Sequence, residues 1–265
     1  MSTMPTRTPW QVTRSVWFAM FMREAVSRTM ADRMGWFWMI FEPLAFITIM
    51  VLIRTHLRGT DRLIVNADFI PWMVAGMLGF FLVREGLTRS HGAINSAQAL
   101  FAYRQVKPVD TVLVRTSVDV MLRTVVFVLF VTSGLLLGLN IFPDNAIQVL
   151  LIWGSLWGLA LGFALVGSVA VHLVPEIGKI IKMVSLPLMI ISGAILPLNS
   201  LPHSILEYLM LNPIVHGLEL LRAGFFEHYH TVPGTSLFYF LLWVLGLNAL
   251  GLLMHLRYKE RLKAK

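Results

Sequence analysis

The chain has 265 residues, 57% of them hydrophobic and only 14% charged, a balance that excludes an ordinary soluble fold and places it in the membrane class. It contains no cysteine, which excludes a disulfide framework, a thiolate metal site and a cysteine nucleophile. The formal charge of +8 does not point to nucleic acid, because long apolar runs separate the basic residues instead of gathering them on one solvated face.

Residues 1–16 carry Arg7 and Arg14 but no apolar stretch, so no cleavable signal peptide is expected and the N-terminus is expected to stay cytoplasmic. Beyond them, Phe18, Met22, Ala25, Val26, Thr29 and Met30 fall on one face at helical spacing, with Glu24, Ser27, Arg28 and Asp32 opposite. Arg23 and Arg33 sit near the boundary between the faces, where long stems lie on lipid and send the charge to headgroups. This pattern predicts an interfacial amphipathic helix, and it fits a plain membrane anchor as well as a working part.

A helical span needs about 20 mostly apolar residues, because lipid cannot satisfy exposed backbone N–H and C=O groups. Six such runs follow: Gly35–Ile53, interrupted by Glu42 and Pro43; the shorter Phe69–Val83; Thr124–Phe142; the charge-free Ala146–Val174; Ile180–Leu198; and Ser236–Leu256. The expected architecture is therefore an all-α integral membrane protein: residues 1–34 as N-terminus and interfacial helix, 35–256 as a six-span domain, and 257–265 as a basic tail. Residues 199–235 are too apolar for an ordinary loop yet are punctuated by Pro202, Pro213, Gly217, Gly224, Pro233 and Gly234, which predicts a partly re-entrant segment before the last span. Segments assigned to the inside hold 18 of the 22 basic residues, leaving Arg54, Arg58, Arg62 and Arg222 outside, so both termini are expected to be cytoplasmic.

Three features within the spans stand out. Gly154, Gly158 and Gly162 recur at every fourth residue, a small-xxx-small stripe that permits close helix approach within the chain or across a dimer. Glu42 is an ionisable group inside a span, a position that is costly and that marks either a partnered structural acid or a wet pathway. Arg115, Asp119 and Arg123 fall at i, i+4 and i+8, a stripe that can pair along its own helix as a solvated juxtamembrane face, or offer cations to an acidic substrate.

Enzymatic motifs are missing. Gly178-Lys179 is followed by Ile180 and lacks the upstream glycine of a phosphate loop, so ATP cannot be hydrolysed here. The 14 acids are spread singly, which speaks against a polytopic glycosyl- or acyltransferase, and His216, His228 and His230 form too loose a group for a metal site, so no catalytic or metal-ligating residue is assigned.

Three segments resemble the permeases of capsular polysaccharide ABC exporters, a branch of the type-2 export family that also contains O-antigen and teichoic acid exporters. They are Trp36-Phe-Trp-Met-Ile-Phe-Glu42-Pro43-Leu44; Tyr103-Arg104-Gln105-Val106-Lys107-Pro108-Val109-Asp110-Thr111, in which Arg104 replaces an expected proline; and Ser192-Gly193 through Pro197, Pro202, Asn212-Pro213 and His216 to Glu219, Arg222 and Gly224. The resemblance implies a homodimer bound to two copies of a separate cytoplasmic ATPase that holds ATP and magnesium. It also implies a long acidic glycan on a lipid terminus, exported across the inner membrane with periplasmic and outer-membrane components continuing the route, and no nucleic acid. An exporter of O-antigen or another glycan or lipid with the same architecture is the alternative. The segment around Asn95–Pro108 is implied to couple to the ATPase, with Leu100, Phe101, Tyr103, Arg104, Gln105, Val106, Lys107 and Pro108 as the contact residues. A glycan pathway calls for aromatic faces and sparse polar groups, for which Trp36, Trp38, Phe41, Trp72 and Phe80, with Glu42, Arg84 and Arg115, are the candidates, although Trp36, Trp38 and Trp72 also suit an interfacial belt.

Overall fold

A computed structural model describes residues 8–30, 34–57 and 67–264. Arg7, Asp32, Arg33, Arg58, Arg62 and Lys265 lie outside these residues, as do the side chains of Met30, Trp36 and Arg54. Eleven α-helices and three short 3-10 turns make up the fold, with no strand among the described residues. The helices are α1 (Pro9–Met30), α2 (Gly35–Leu57), α3 (Phe69–Thr88), α4 (Ala93–Ser96), α5 (Pro108–Leu136), α6 (Ala146–Leu173), α7 (Glu176–Ile191), α8 (His203–Leu209), α9 (Pro213–Phe225), α10 (Leu237–Arg257) and α11 (Lys259–Lys263). Among the described residues four stretches can cross a membrane by length and composition: Phe69–Ser96, α5, α6 and α10. α2 has a shorter apolar run, Phe37–Ile53.

α3 is the axis of the fold. It is apolar all round and buried from Pro71 through Val83, as expected of a helix walled in by others, here α2, α5, α6, α7 and α9. α10 is the opposite case, with Phe238, Leu245, Leu253 and Leu256 between 63% and 75% exposed. So large an apolar face is stable only against lipid or another protein. The chain is thus an all-α membrane protein. α6 and α10 pack along each other closely, and the glycine stripe explains part of this: a Cβ on Gly158 would come within 3.0 Å of Val244, and one on Gly162 within 2.7 Å of Leu247. Gly154 faces open space. Two of the three glycines therefore serve packing inside the chain.

α6 and α10 agree with the hydropathy runs to within a residue. α5 does not: it begins at Pro108 instead of Thr124 and stops at Leu136 instead of Phe142. Pro108 occupies the first turn, where its missing N–H costs nothing, and the Asp110 carboxylate accepts the Lys107 backbone N–H at 3.0 Å. At the other end Gly138, at φ 74°, takes a left-handed conformation that ends the helix. α7 likewise runs from Glu176 to Ile191 instead of Ile180 to Leu198, and is followed by Gly193 at φ 70°. Within residues 199–235 lie α8 and α9, and α9 is buried over most of its length between α3, α6 and α10.

α1 has the amphipathic form expected of it, but Glu24 and Arg28 on its polar face are turned into the protein. Phe18, Met22 and Val26 are exposed, whereas Met20 packs on Val106 and Val114, and Trp17 donates its indole N–H to Asp110 at 3.0 Å. The face that carries Glu24 and Arg28 is docked on α5.

Candidate functional site

The docking of α1 on α5 and the packing of α5 on α3 bring together charges that lie far apart in sequence. Arg28 pairs with Asp119 at 2.9 Å and with Glu24 at 3.3 Å, and Arg115 pairs with the same Glu24 at 2.9 Å. Arg115 also donates to the Ser96 hydroxyl at 2.7 Å, tying α5 and α1 to the segment after α3. Further along α5, Arg123 pairs with Glu85 and lies 3.9 Å from Glu42. Arg84 pairs with Glu42 at 2.6 Å, and Arg89 with Glu85 at 2.9 Å. The guanidinium groups of Arg84 and Arg123 stand 5.6 and 5.3 Å from the Phe81 ring, the range of cation–π attraction.

This arrangement corrects the expectation of a solvated stripe paired along its own helix. Asp119 and Arg123 are 5% and 4% exposed, and Arg115, Asp119 and Arg123 reach across to α1 and α3 for partners. A charge sandwiched between helices must be paired where it lies, and cross-helix carboxylates do this. Between these side chains lies a cavity of about 410 Å³ lined by Arg28, Trp38, Glu42, Glu85, Asp119 and Arg123.

The candidate pathway residues divide. Glu42, Arg84 and Arg115 belong to the charged cluster, and Trp38 and Phe41, at 55% and 40% exposure, stack edge to face on the outer side of α2. Trp72 and Phe80 are at most 1% exposed, sealed in the core of the single chain, so neither offers a ring to a passing sugar nor sits in an interfacial belt. The Trp36 side chain lies outside the described residues.

Trp72 instead belongs to a cluster that sequence reasoning missed. The Arg222 guanidinium lies 3.5 Å from the centre of the Trp72 ring. It donates to Glu219 at 2.8 Å, to the Gly193 and Ala194 carbonyls at 2.9 and 3.3 Å, and to the Trp72 carbonyl at 3.3 Å. Tyr229 accepts the Trp72 indole N–H at 2.9 Å and donates to Glu219, which also accepts the Val232 N–H at 3.1 Å. Gly76 makes room: a Cβ there would fall 2.0 Å from the guanidinium. Arg222, counted above as an outside charge, is fully buried, and the i, i+3 spacing of Glu219 and Arg222 in an apolar helix was the available signal. The cluster pins the turn after α7 to α3 and α9.

In the candidate coupling segment, Val106 and Pro108 are buried and Leu100 and Phe101 are half-buried against α1 and α5, so these four are spent on the chain's own core. Tyr103, at 67% exposure, with Arg104, Gln105 and Lys107, forms the outward face.

Residues 15–226 match the family model of the ABC-2 type transporter. The chain is 31% identical to the polysialic acid transport protein KpsM of Escherichia coli, over 94% of this chain and 95% of that protein. It is 29% identical to the capsule polysaccharide export inner-membrane protein CtrC of Neisseria meningitidis over 81% and 80% of the two chains, and 26% identical to BexB of Haemophilus influenzae, named likewise, over 89% and 88%. The extent of these matches, on a chain whose described residues form a bundle of apolar helices, establishes that it belongs to the ABC-2 type transporter family.

Proposed function

We propose that this chain is the permease subunit of an ATP-driven exporter that moves capsular polysaccharide from the cytoplasm across the bacterial inner membrane. The observation that carries this reading is likeness along most of the chain to a polysialic acid transport protein and to capsule polysaccharide export inner-membrane proteins of two further genera. The absence of a phosphate loop from the sequence assigns ATP and magnesium to a separate cytoplasmic ATPase, two copies of which serve a homodimer of this chain. In the complete topology α2 and α7 join the four longer stretches as spans, residues 199–235 form a re-entrant segment centred on the buried α9, and both termini are cytoplasmic. Periplasmic and outer-membrane components receive the glycan.

The outward face of Tyr103, Arg104, Gln105 and Lys107 is the contact for the ATPase. Its motion has a physical route inward: Ser96 holds Arg115, Arg115 holds Glu24, and Arg28 joins Glu24 to Asp119. Deleting the gene should leave capsular polysaccharide inside the cell at normal amount, and the parent gene should restore it to the surface. Loss of O-antigen from the surface with capsule unaffected would overturn the cargo, while normal export of every surface glycan would overturn the function.

A further inference from the structure

Two side chains hold the start of α10 to the turn between α8 and α9. Tyr239, in the first turn of α10, donates its hydroxyl to the Leu211 carbonyl at 2.8 Å. His216, on α9 and 2% exposed, bridges the two segments with both ring nitrogens: Nε2 lies 2.8 Å from the Met210 carbonyl, and Nδ1 lies 3.0 Å from the backbone nitrogen of Ser236, the N-cap residue of α10. These partners fix the proton, because a carbonyl can only accept and a backbone N–H can only donate. His216 therefore carries its proton on Nε2 and keeps Nδ1 bare as an acceptor. A second proton, on Nδ1, would point at the Ser236 N–H, break that bond and leave a buried cation.

Among the described residues no carboxylate is placed to compensate such a charge. Glu219, one turn along α9, is taken by Arg222, the Tyr229 hydroxyl and the Val232 N–H. On α8, His203 and Glu207 are exposed and pair with each other, and Glu227, His228 and His230, before α10, are exposed. Arg84 and Glu85 of α3 belong to the charged cluster, and α6 contains no Asp, Glu, Lys or Arg. The Tyr239 ring, 4.8 Å from the imidazole between centres, would attract a cation and offset part of the cost. Burial holds the pKa of His216 below the ordinary imidazole value, although the Met210 carbonyl pulls the other way.

We propose that His216 is an acid-sensitive tie: neutral, it fastens the start of the last span to the turn after α8, and on protonation it lets that start go. Because the ring is buried, the proton reaches Nδ1 only as the Ser236 contact opens, so uptake and release are one event. The tie is at full strength above the ordinary histidine pKa of about 6.5 and is lost as pH falls below it towards the lowered native value. In the topology proposed above this end faces the periplasm, so the tie would respond to acid outside the inner membrane. It depends on neither the cargo nor the ATPase.

The test uses the full-length chain purified in a neutral detergent, at about pH 7.5 and about pH 5.5. His216→Gln cannot titrate yet still offers an acceptor and a donor. Between these conditions the open form of the parent gains about tenfold, so its unfolding midpoint should fall by about 3 °C more than that of His216→Gln. His230→Gln, at an exposed position, should keep the response of the parent. Amide hydrogen exchange, corrected for the intrinsic effect of pH, should be faster in the parent at the lower pH over residues 236–240 but not within α6, and this measurement decides alone if His216→Gln does not fold. Equal pH responses of the parent and His216→Gln, no pH-dependent exchange at 236–240, or loss of the response in His230→Gln would overturn the proposal.

Discussion

Replacing Arg222 by Met removes the charge from the buried cluster while keeping an unbranched apolar stem, and its cost can be worked from the contacts. Glu219 loses its cationic partner at 2.8 Å but keeps the Tyr229 hydroxyl and the Val232 N–H. The Gly193 and Ala194 carbonyls lose their guanidinium donor, and the Trp72 ring loses a cation at 3.5 Å. Breaking a buried pair by removing one partner costs about 3–5 kcal/mol, because an uncompensated charge stays behind. The combined variant Glu219→Gln/Arg222→Met removes that charge as well, so it should be more stable than the sum of the single variants by about 2 kcal/mol or more. Unfolding of the purified chain in mixed detergent micelles, followed by tryptophan fluorescence for the parent, both single variants and the double, measures the cycle. If the two single effects simply add, the pair is not coupled, and the cluster is not the pin that joins the turn after α7 to α3 and α9.

Three further outcomes follow from the same geometry. Reporter fusions at 143–145 should read periplasmic and those after Lys107 and at the C-terminus cytoplasmic, and a periplasmic C-terminus would refute the six-span topology. Tyr103→Ala should weaken co-purification with the ATPase by about 2 kcal/mol, and Arg104→Ala by less because a rim charge is screened. Phe101→Ala, at a half-buried position, should instead lower the amount of folded chain, which quantitative blotting of membranes will show. Gly162→Leu should lower thermal stability by about 1–3 kcal/mol through overpacking on Leu247 and Asn248, whereas Gly154→Leu, facing open space, should leave it unchanged in the isolated chain.

The residues that hydropathy placed correctly are those for which the membrane alone decides. α6 and α10 are long and apolar enough that no other structure can satisfy their backbone, and their ends were legible to within a residue. The family, too, was legible, because short motifs such as Glu42-Pro43 and Asn212-Pro213 are local patterns of the sequence. What hydropathy could not supply was any property set by a neighbour. The first half of α5 reads as a solvated helical stripe because Arg115, Asp119 and Arg123 are too polar for lipid, yet these residues are mostly buried since α1 and α3 bring Glu24, Arg28 and Glu85 to them. Arg222 reads as a loop cation for the same reason, and lies at the centre of the fold because Gly76 opens a space and four acceptors fill its donor fork. The ends of α5 and α7 were set by Gly138 and Gly193 in left-handed conformations that no apolar average registers. Local hydrophobicity therefore determined which segments enter the membrane, while the cost of burying charge, which depends on partners far away in sequence, left the charged cavity and the arginine cluster to the tertiary structure.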